Sequence, residues 1–597
     1  VLVWRVHGMM IGVDDDEEQQ SAPCAVLQID GVWQELSRPD GRFVTRHPED
    51  VPGLLAAVEA AADSGLHVAG YVAYEAGAAF GLACHPAADG LPLAEFVAFE
   101  RMAALDVQTL ALAASRAPTL DWRTETTEEG HATAVARIRK HLAAGETYQV
   151  NLTYPLRADW EGEPFAFFAR LARAQRSSCA AYLDFGRLVV CSASPEVFFS
   201  RDGDRVVMRP MKGTSARGRT LAEDRGRAAA LRRSPKERAE NLMIVDMVRN
   251  DLGRLARPGS VRVDNLFRVE RYPTVLQMTS TVSAELSVPL ADLFGATFPC
   301  ASVVGAPKVR TAELIRDLEP GPRGIYTGAV GYVGPGRKAR FNVAIRTATI
   351  DRERKRATYG TGSGIVWDSR PGREFRECAE KTRVLTAGVQ PFQLLETLRW
   401  DPEGGYALLG RHLRRQAGSA KYFGIPYNRA RNREVLAAEA RGDVPLRVRL
   451  LVSEEGETCV ESEPLLPNAT EPVRVGLSRL PSGETDVFRY HKTTHRQAYD
   501  DAMASRPDCD QALLWRSDGI VTETNIANVA VQRAGLWVTP RATDGLLAGT
   551  YRAELLAQGA LTEAHITVEE VRGGVPLAVF NSLRGWQPAV FVPVCEV

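Results

Sequence analysis

The segment PKERAENLMIVDMVRNDL (Pro235–Leu252) places Glu240, Ile244, Met247, Val248 and Asp251 on one face at helical spacing. Glu240 therefore points where the apolar stripe points, and a carboxylate so placed is costly unless it is paired or bound to a metal. Outward from this helix, RLVVCSAS (Arg187–Ser194) and VVMRPM (Val206–Met211) read as short strands, and HATAVARIRKHLAAGE (His131–Glu146) as another helix. Interleaving of this kind predicts an α/β or α+β fold.

Glu237 stands one turn before Glu240, and a second E-x-x-E, Glu374 and Glu377, lies on another predicted helix with Lys381, Val384 and Leu385 on its inner side. Two such pairs suit Mg²⁺, which takes a few carboxylates and completes its shell with substrate oxygens and water. Read alone, each pair equally marks a solvated helix face. Lys212, in RPMKGTSARG, reads as a loop lysine after a strand, and Glu196, in CSASPEVFF, as a turn residue after Pro195. TYQVNLT (Thr147–Thr153) follows a helix. GTGSGI (Gly360–Ile365) reads as an anion nest or a plain turn.

The chain has 597 residues, enough for several domains or for one large and one smaller domain. Lys and Arg number 73 against 74 Asp and Glu, which gives no support to a nucleic-acid or membrane-surface role. The nine cysteines are scattered, with no C-x-x-C pair, which argues against a zinc ribbon or a disulfide framework and for a reducing compartment. The opening VLVWRVHGMMIGVDDDEEQQ is a poor signal peptide, and the weakly polar run Val68–Cys84 is interrupted by Glu75. These features predict a soluble cytoplasmic protein. A new strand-turn-strand-helix pattern starts at PFQLLETLRW, so a domain boundary is expected at about 386–391, dividing 1–386 from 391–597, with a softer break near Pro481–Glu484.

In order along the chain come YQVNLT (148–153), SASPEVF (192–198), RPMKGT (209–214), ENLMIVDMVRNDL (240–252), FPCASVVGAPK (298–308), RGIYTGAVGY (323–332), FNVAIRT (341–347), GTGSGIVWDS (360–369) and EFRECAEK (374–381). The series resembles the chorismate-utilising enzymes: anthranilate synthase component I, aminodeoxychorismate synthase component I, and the isochorismate and salicylate synthases. It covers roughly residues 1–386 and implies a large α/β sandwich. The resemblance further implies that Glu240 and Glu377 hold Mg²⁺ with Glu237 and Glu374 as outer partners, that Glu196 is the general acid, and that Tyr326, Arg346, Thr214 and the amides around Gly362 bind chorismate. Water-adding members carry a base lysine where this chain has Gln149. Anthranilate synthases have alanine at Lys212, whereas a lysine there marks the aminodeoxychorismate branch, in which the lysine attacks C2 as the C4 hydroxyl leaves and ammonia then displaces it from C4. Gln277, Ala301 and Val304 depart from the usual His, Gly and Thr. No nucleophile-elbow cysteine of a glutamine amidotransferase is found, so ammonia is expected from a separate glutaminase subunit or from solution.

The later series LLETLR (394–399), GRHLRR (410–415), FRYHKTTHRQAYD (488–500), DQALLWRSDGIVTETNIANVAV (510–531) and GLLAGTYR (545–552) resembles the fold-type IV pyridoxal-phosphate enzymes, which include branched-chain and D-amino-acid aminotransferases and aminodeoxychorismate lyase. That resemblance implies a two-subdomain fold and a dimer through this domain. It makes Lys492 the cofactor lysine and later base, Glu523 the partner of the pyridine nitrogen, and Arg415 with the amides of Thr550 and Tyr551 the phosphate site. Together the halves imply conversion of chorismate to 4-amino-4-deoxychorismate and on to 4-aminobenzoate and pyruvate, in folate biosynthesis. Two other readings stay open: an anthranilate synthase fused to an aminotransferase, against which Lys212 argues, and a synthase whose second domain is inactive and binds a partner.

Overall fold

The computed structural model describes residues 23–88, 90–386, 391–480 and 486–593. The readings made on the N-terminal segment, on Pro481–Glu484 and on most of the 386–391 junction lie outside these residues. The chain divides into two units, one from Val1–Ala216 and Ala228–Val389, the other from Arg217–Arg227 and Gln390–Val597.

In the first unit a sheet of sixteen strands dominates the described residues. Its strand pairings are antiparallel, for example Gln149–Asp159 with Arg356–Ile365 and Arg356–Ile365 with Thr347–Asp351, so α+β is the better of the two expected classes here. Phe199, Phe294 and Phe341 pack edge to face on one side of it. Against them lie Ile244, Val245, Val248 and Leu252 of the Pro235–Gly253 helix; Ile244 and Val248 belong to the expected stripe, whereas Met247 is only partly buried and Val245 and Leu252 complete the face. That helix starts at Ser234, whose hydroxyl accepts from the Glu237 N–H. Glu240 sits at the margin of the buried face, half-buried, one turn before Ile244.

Two local readings need correction. VVMRPM is not one strand: Arg205–Met208 stops before Pro210, which has no N–H to donate, and a new strand, Met211–Ala216, begins after it. Lys212 is therefore a strand residue, in a three-stranded sheet with Val275–Thr279 and Arg268–Arg271. GTGSGI is neither nest nor turn but the second half of the ten-residue strand Arg356–Ile365, fully paired with Val150–Pro155. Its glycines answer to crowding from across the sheet. A Cβ on Gly360 would fall inside the Tyr326 ring, and one on Gly362 would lie 2.6 Å from the Leu152 carbonyl oxygen.

In the second unit the strand-turn-strand-helix pattern is present as Leu394–Asp401, Gly405–Tyr406 and the helix Leu409–Phe423. A four-stranded sheet holds the first two of these, and an eight-stranded sheet with both parallel and antiparallel pairs holds Val521–Thr524. The helix Thr550–Ala557 follows Gly549, where a Cβ would collide with the Asn528 side-chain oxygen. No helix among the described residues is long and apolar enough to cross a membrane.

Candidate functional site

A cavity of about 230 Å³ in the first unit gathers residues from sequence-distant strands, helices and loops. Lys212, Thr214, Glu196, Tyr326, Arg346 and Gly362 line it, together with all four carboxylates Glu237, Glu240, Glu374 and Glu377. Every candidate of the first region is thus brought to one place.

Lys212 is held by its backbone and confined at its tip. Its carbonyl accepts from Asn241 Nδ2 at 3.1 Å, and Asn241 Oδ1 accepts from the Ser280 hydroxyl at 2.6 Å, so the helix of the E-N-L motif clamps the lysine strand. Its Nζ lies against Gly364, where a Cβ would stand 3.1 Å away. Burial pushes the ammonium below the usual lysine range, while Glu240 and Glu196 oppose the shift. Beside it is Gln149, 1% exposed, whose carboxamide oxygen and nitrogen have no hydrogen-bond partner among the described residues. An orphaned buried amide next to an amine suits a small polar ligand.

Glu196 follows the strand Leu188–Ser194, and its N–H donates to Ser194 Oγ at 3.2 Å. It is 3% exposed, and burial raises its carboxyl to about 7, with Ser302 and Lys212 pulling the other way. A carboxyl that holds its proton near neutral pH can give it to a leaving group. Arg346 has a left-handed backbone, φ 52°, and donates to the Lys381 carbonyl. Thr214 is exposed at the cavity rim and donates to Gln277 Oε1, its cross-strand neighbour, at 2.9 Å. Gln277 lines the cavity beside Thr214, while Ala301 and Val304 are packed in the interior.

The metal candidates face one another from two helices. Burial raises Glu240, with Glu237 adding to the effect. Burial also works against Glu377, yet Lys381 and Lys212 hold it below its ordinary value. Lys381 Nζ donates to Glu377 Oε1 and to the Gly362 carbonyl, each at 2.8 Å. No group of three or more potential ligands stands preassembled among the described residues. The donor set fits a cation that draws its remaining ligands from substrate and water. The role of Lys381 escaped the motif reading, although its i,i+4 spacing from Glu377 was a visible signal.

The second unit assembles its own constellation. Lys492 follows His491, and its carbonyl accepts from Leu395 N–H at 3.0 Å. Burial, then Arg415, lowers its ammonium to about 8. Glu523, 4% exposed, is raised by burial to about 7 and lies close enough to Lys492 for each to shift the other. Its Oε1 takes both Tyr499 O–H at 2.8 Å and Leu547 N–H at 3.1 Å. Arg415 sits on the Leu409–Phe423 helix and reaches the carbonyl of Ala548, just before the Thr550 helix. Thr550 and Tyr551 open that helix, where unpaired N–H groups attract anions. Glu396, His412 and Tyr499, which support these groups, were not singled out by the sequence reading.

Residues 22–387 match the family described as chorismate binding enzyme. The chain belongs to that family. Residues 393–591 of this chorismate-binding enzyme match a second family, amino-transferase class IV, so it carries a fold-type IV domain after the first. It is 44% identical over 261 residues to an aminodeoxychorismate synthase of Streptomyces griseus, covering 43% of this chain and 36% of that protein. It is 39% identical over 266 residues to aminodeoxychorismate synthase component 1 of Bacillus subtilis, covering 44% of this chain and 56% of that one. The chain thus spans between about a third and somewhat over half of these curated relatives. In fold it is similar to anthranilate synthase component I from Streptococcus pneumoniae, with a TM-score of 0.51 and 24% identity over 64% of this chain and 95% of that one.

Proposed function

We propose that this chain converts chorismate and ammonia to 4-amino-4-deoxychorismate and water, and then splits that product into 4-aminobenzoate and pyruvate. The observation that carries the reading is Lys212: a clamped, desolvated amine in the carboxylate-lined cavity, beside a carboxyl poised to protonate a leaving hydroxyl. Relatives named aminodeoxychorismate synthase support it.

In the first reaction Lys212 Nζ forms a bond to ring carbon C2 as the C4 hydroxyl departs with the proton of Glu196. Ammonia, received by the unpaired amide of Gln149, then bonds to C4 and expels the lysine. Arg346, Tyr326 and Thr214 orient the substrate, Arg346 through its affinity for carboxylate. Glu240 and Glu377, with Glu237 and Glu374 outside them, would hold Mg²⁺, which would neutralise the ring carboxylate when bound. The name component 1 borne by one relative fits a separate glutaminase subunit as the ammonia source.

In the second reaction Lys492 Nζ removes the proton at C4, the enolpyruvyl group leaves and takes up a proton as pyruvate, and the ring becomes aromatic. Arg415, the Thr550 and Tyr551 amides, Lys492 and Glu523 would hold pyridoxal phosphate, which supplies an electron sink when bound. Glu523 has one oxygen committed to Tyr499 and Leu547, which fixes the orientation of the other. Incubation of the purified chain with chorismate, Mg²⁺ and ammonium, followed by chromatography, tests both steps. 4-Aminobenzoate supports the whole reading, accumulated aminodeoxychorismate supports only the first half, and anthranilate would overturn it.

A further inference from the structure

Behind the phosphate candidates of the second unit lies a buried chain of three polar side chains. Glu396, on the Leu394–Asp401 strand, is 0% exposed and receives Arg415 on both oxygens, Nε to Oε1 at 2.9 Å and Nη2 to Oε2 at 2.6 Å. The same Oε2 lies 2.6 Å from His412 Nδ1. His412 is also 0% exposed, and its Nε2 lies 3.2 Å from Thr550 Oγ1. Burial alone would raise Glu396, yet Arg415 and His412 hold it down to about 2, so it is an ionised acceptor throughout the working range.

These contacts fix hydrogen-bond directions. An ionised carboxylate only accepts, so His412 Nδ1 carries a proton and donates to Glu396. In a neutral imidazole Nε2 is then the acceptor, and Thr550 must spend its one hydroxyl proton on it. The oxygen of Thr550 would then present lone pairs to any anion at the head of its helix. A second proton on the ring, at Nε2, reverses the bond: Nε2 donates to Oγ1, and the Thr550 proton is released to an anion. The Glu396 carboxylate, already ionised and in contact, is the counter-charge for that imidazolium.

We propose that His412 takes a proton from solvent when a phosphate monoester docks at Thr550, and that the Glu396–His412–Thr550 chain thereby turns the threonine hydroxyl toward the phosphate. Glu396 and His412 are positioning residues: they act through Thr550 and Arg415. The proposal rests on the reading that this unit binds pyridoxal phosphate. The other charged groups near the imidazole are Arg415 one turn along its helix, Lys492, which feels both Arg415 and Glu396, and the Arg411–Glu554 pair that joins its helix to the Thr550 helix at 2.7 Å. Tyr427, which also feels Glu396, is the nearby phenol.

The test compares two probes on the 597-residue chain freed of cofactor, pyridoxal phosphate and pyridoxal, which lacks the phosphate but attaches to the same lysine. Affinities are measured by absorbance between about pH 7 and about pH 9, above the phosphate's own second ionisation. The ratio of the two affinities cancels effects at Lys492 and Glu523. In the unaltered chain the preference for pyridoxal phosphate should fall as pH rises, and calorimetry in two buffers of different ionisation heat should show proton uptake with the phosphorylated probe alone. His412→Gln and Thr550→Val should each lower the preference about 10- to 100-fold, the loss of a hydrogen bond to a charged group, and flatten its pH dependence. Thr550→Ser should restore both. Inorganic phosphate should compete with the phosphorylated probe only. An unaltered chain with no pH dependence in the ratio overturns the proposal, as does a slope that survives in Thr550→Val, a variant that leaves His412 itself in place. A chain that binds neither probe overturns the cofactor reading, and this inference with it.

Discussion

Asn241 Nδ2 donates to the Lys212 carbonyl at 3.1 Å while Ser280 Oγ donates to Asn241 Oδ1 at 2.6 Å, so one buried amide joins the carboxylate helix to the strand of the proposed nucleophile. Because Glu240 is the residue immediately before Asn241, the metal candidate and the clamp come from one turn of helix. Lys212→Ala should abolish conversion of chorismate while leaving cleavage of supplied aminodeoxychorismate intact. Asn241→Leu should leave two buried partners unsatisfied and destabilise the chain by about 1–3 kcal/mol in denaturant titration, with a slower first step and an unchanged second one. Near-normal chorismate turnover in Lys212→Ala would remove it from the chemistry.

Glu196 provides a pH signature. Its folded value, about 7, lies above the ordinary carboxyl value of 4.5 because of burial. The proton needed for the leaving hydroxyl is present below about 7 and lost above it, so Glu196 should give kcat for chorismate consumption a limb that falls as pH rises through about 7. Ionisation of the buried group also costs stability on that side, since a raised folded pKa favours the protonated chain. Glu196→Gln should lower the rate by about 10²-fold or more and remove this limb from the profile. A limb that persisted in Glu196→Gln would belong to another group.

How far the sequence discloses this site depends on whether a residue's neighbours are local. The Pro235–Gly253 helix was legible because its stripe and its Glu240 repeat at 3.6 residues, a period that backbone geometry imposes. Lys212 and Gly360–Ile365 were misread because their causes are remote: Gly360 makes room for Tyr326, and Gly364 for Gln149 and Lys212. A run such as GTGSG has turn composition whatever the crowding across the sheet. Glu396 is likewise silent in LLETLR, where nothing local says that a carboxylate in the middle of a strand will be covered by Arg415 and His412. Order along the chain compensated, since the ordered motifs named Glu196, Glu240, Tyr326 and Glu377, and all of them line one cavity.

Gln149 is expected to act on ammonia and not on chorismate. Its carboxamide is buried beside Lys212 with both polar atoms unpaired among the described residues. Gln149→Met keeps the length and apolar packing but deletes the amide. The KM for ammonium should rise about tenfold, the value of one hydrogen bond, with the KM for chorismate unchanged. Equal rises in both would assign Gln149 to the shape of the cavity alone.

The carboxylates should sort by position. Glu240→Gln or Glu377→Gln should raise the Mg²⁺ concentration needed for half-maximal chorismate turnover and depress the maximum together, because each removes a charged donor. Glu237→Gln and Glu374→Gln should cost less. Lys381→Met is informative in the opposite sense: it frees Glu377 Oε1 from the ammonium that now holds it at 2.8 Å, so the Mg²⁺ requirement should fall even if turnover suffers. Equal insensitivity of all four glutamates would leave them as cavity-lining charges that hold no metal.

The last prediction concerns Lys492 and Glu523, whose mutual influence places amine and carboxylate in one buried site. Lys492→Ala should turn the chain into a net producer of aminodeoxychorismate, because Lys212 still works while the proton at C4 has no base. The yellow absorbance of lysine-bound cofactor should vanish, although Arg415, Glu523 and the Thr550 and Tyr551 amides remain to hold the cofactor noncovalently. Glu523→Ala should differ. The lysine still attaches, so the yellow band forms, but the pyridine nitrogen loses the group that keeps it protonated. Stabilisation of charge developing in a transition state is typically worth several kcal/mol, so 4-aminobenzoate formation should slow by about 10²-fold or more. Tyr499→Phe removes one of the two donors on Glu523 Oε1 and should give a milder loss in the same direction. Chromatography of chorismate, aminodeoxychorismate and 4-aminobenzoate, read beside the absorbance spectrum, separates the cases. Intermediate accumulating in both Lys492→Ala and Glu523→Ala, with the band lost only in the first, supports the assignment; undiminished 4-aminobenzoate from Lys492→Ala would sink it.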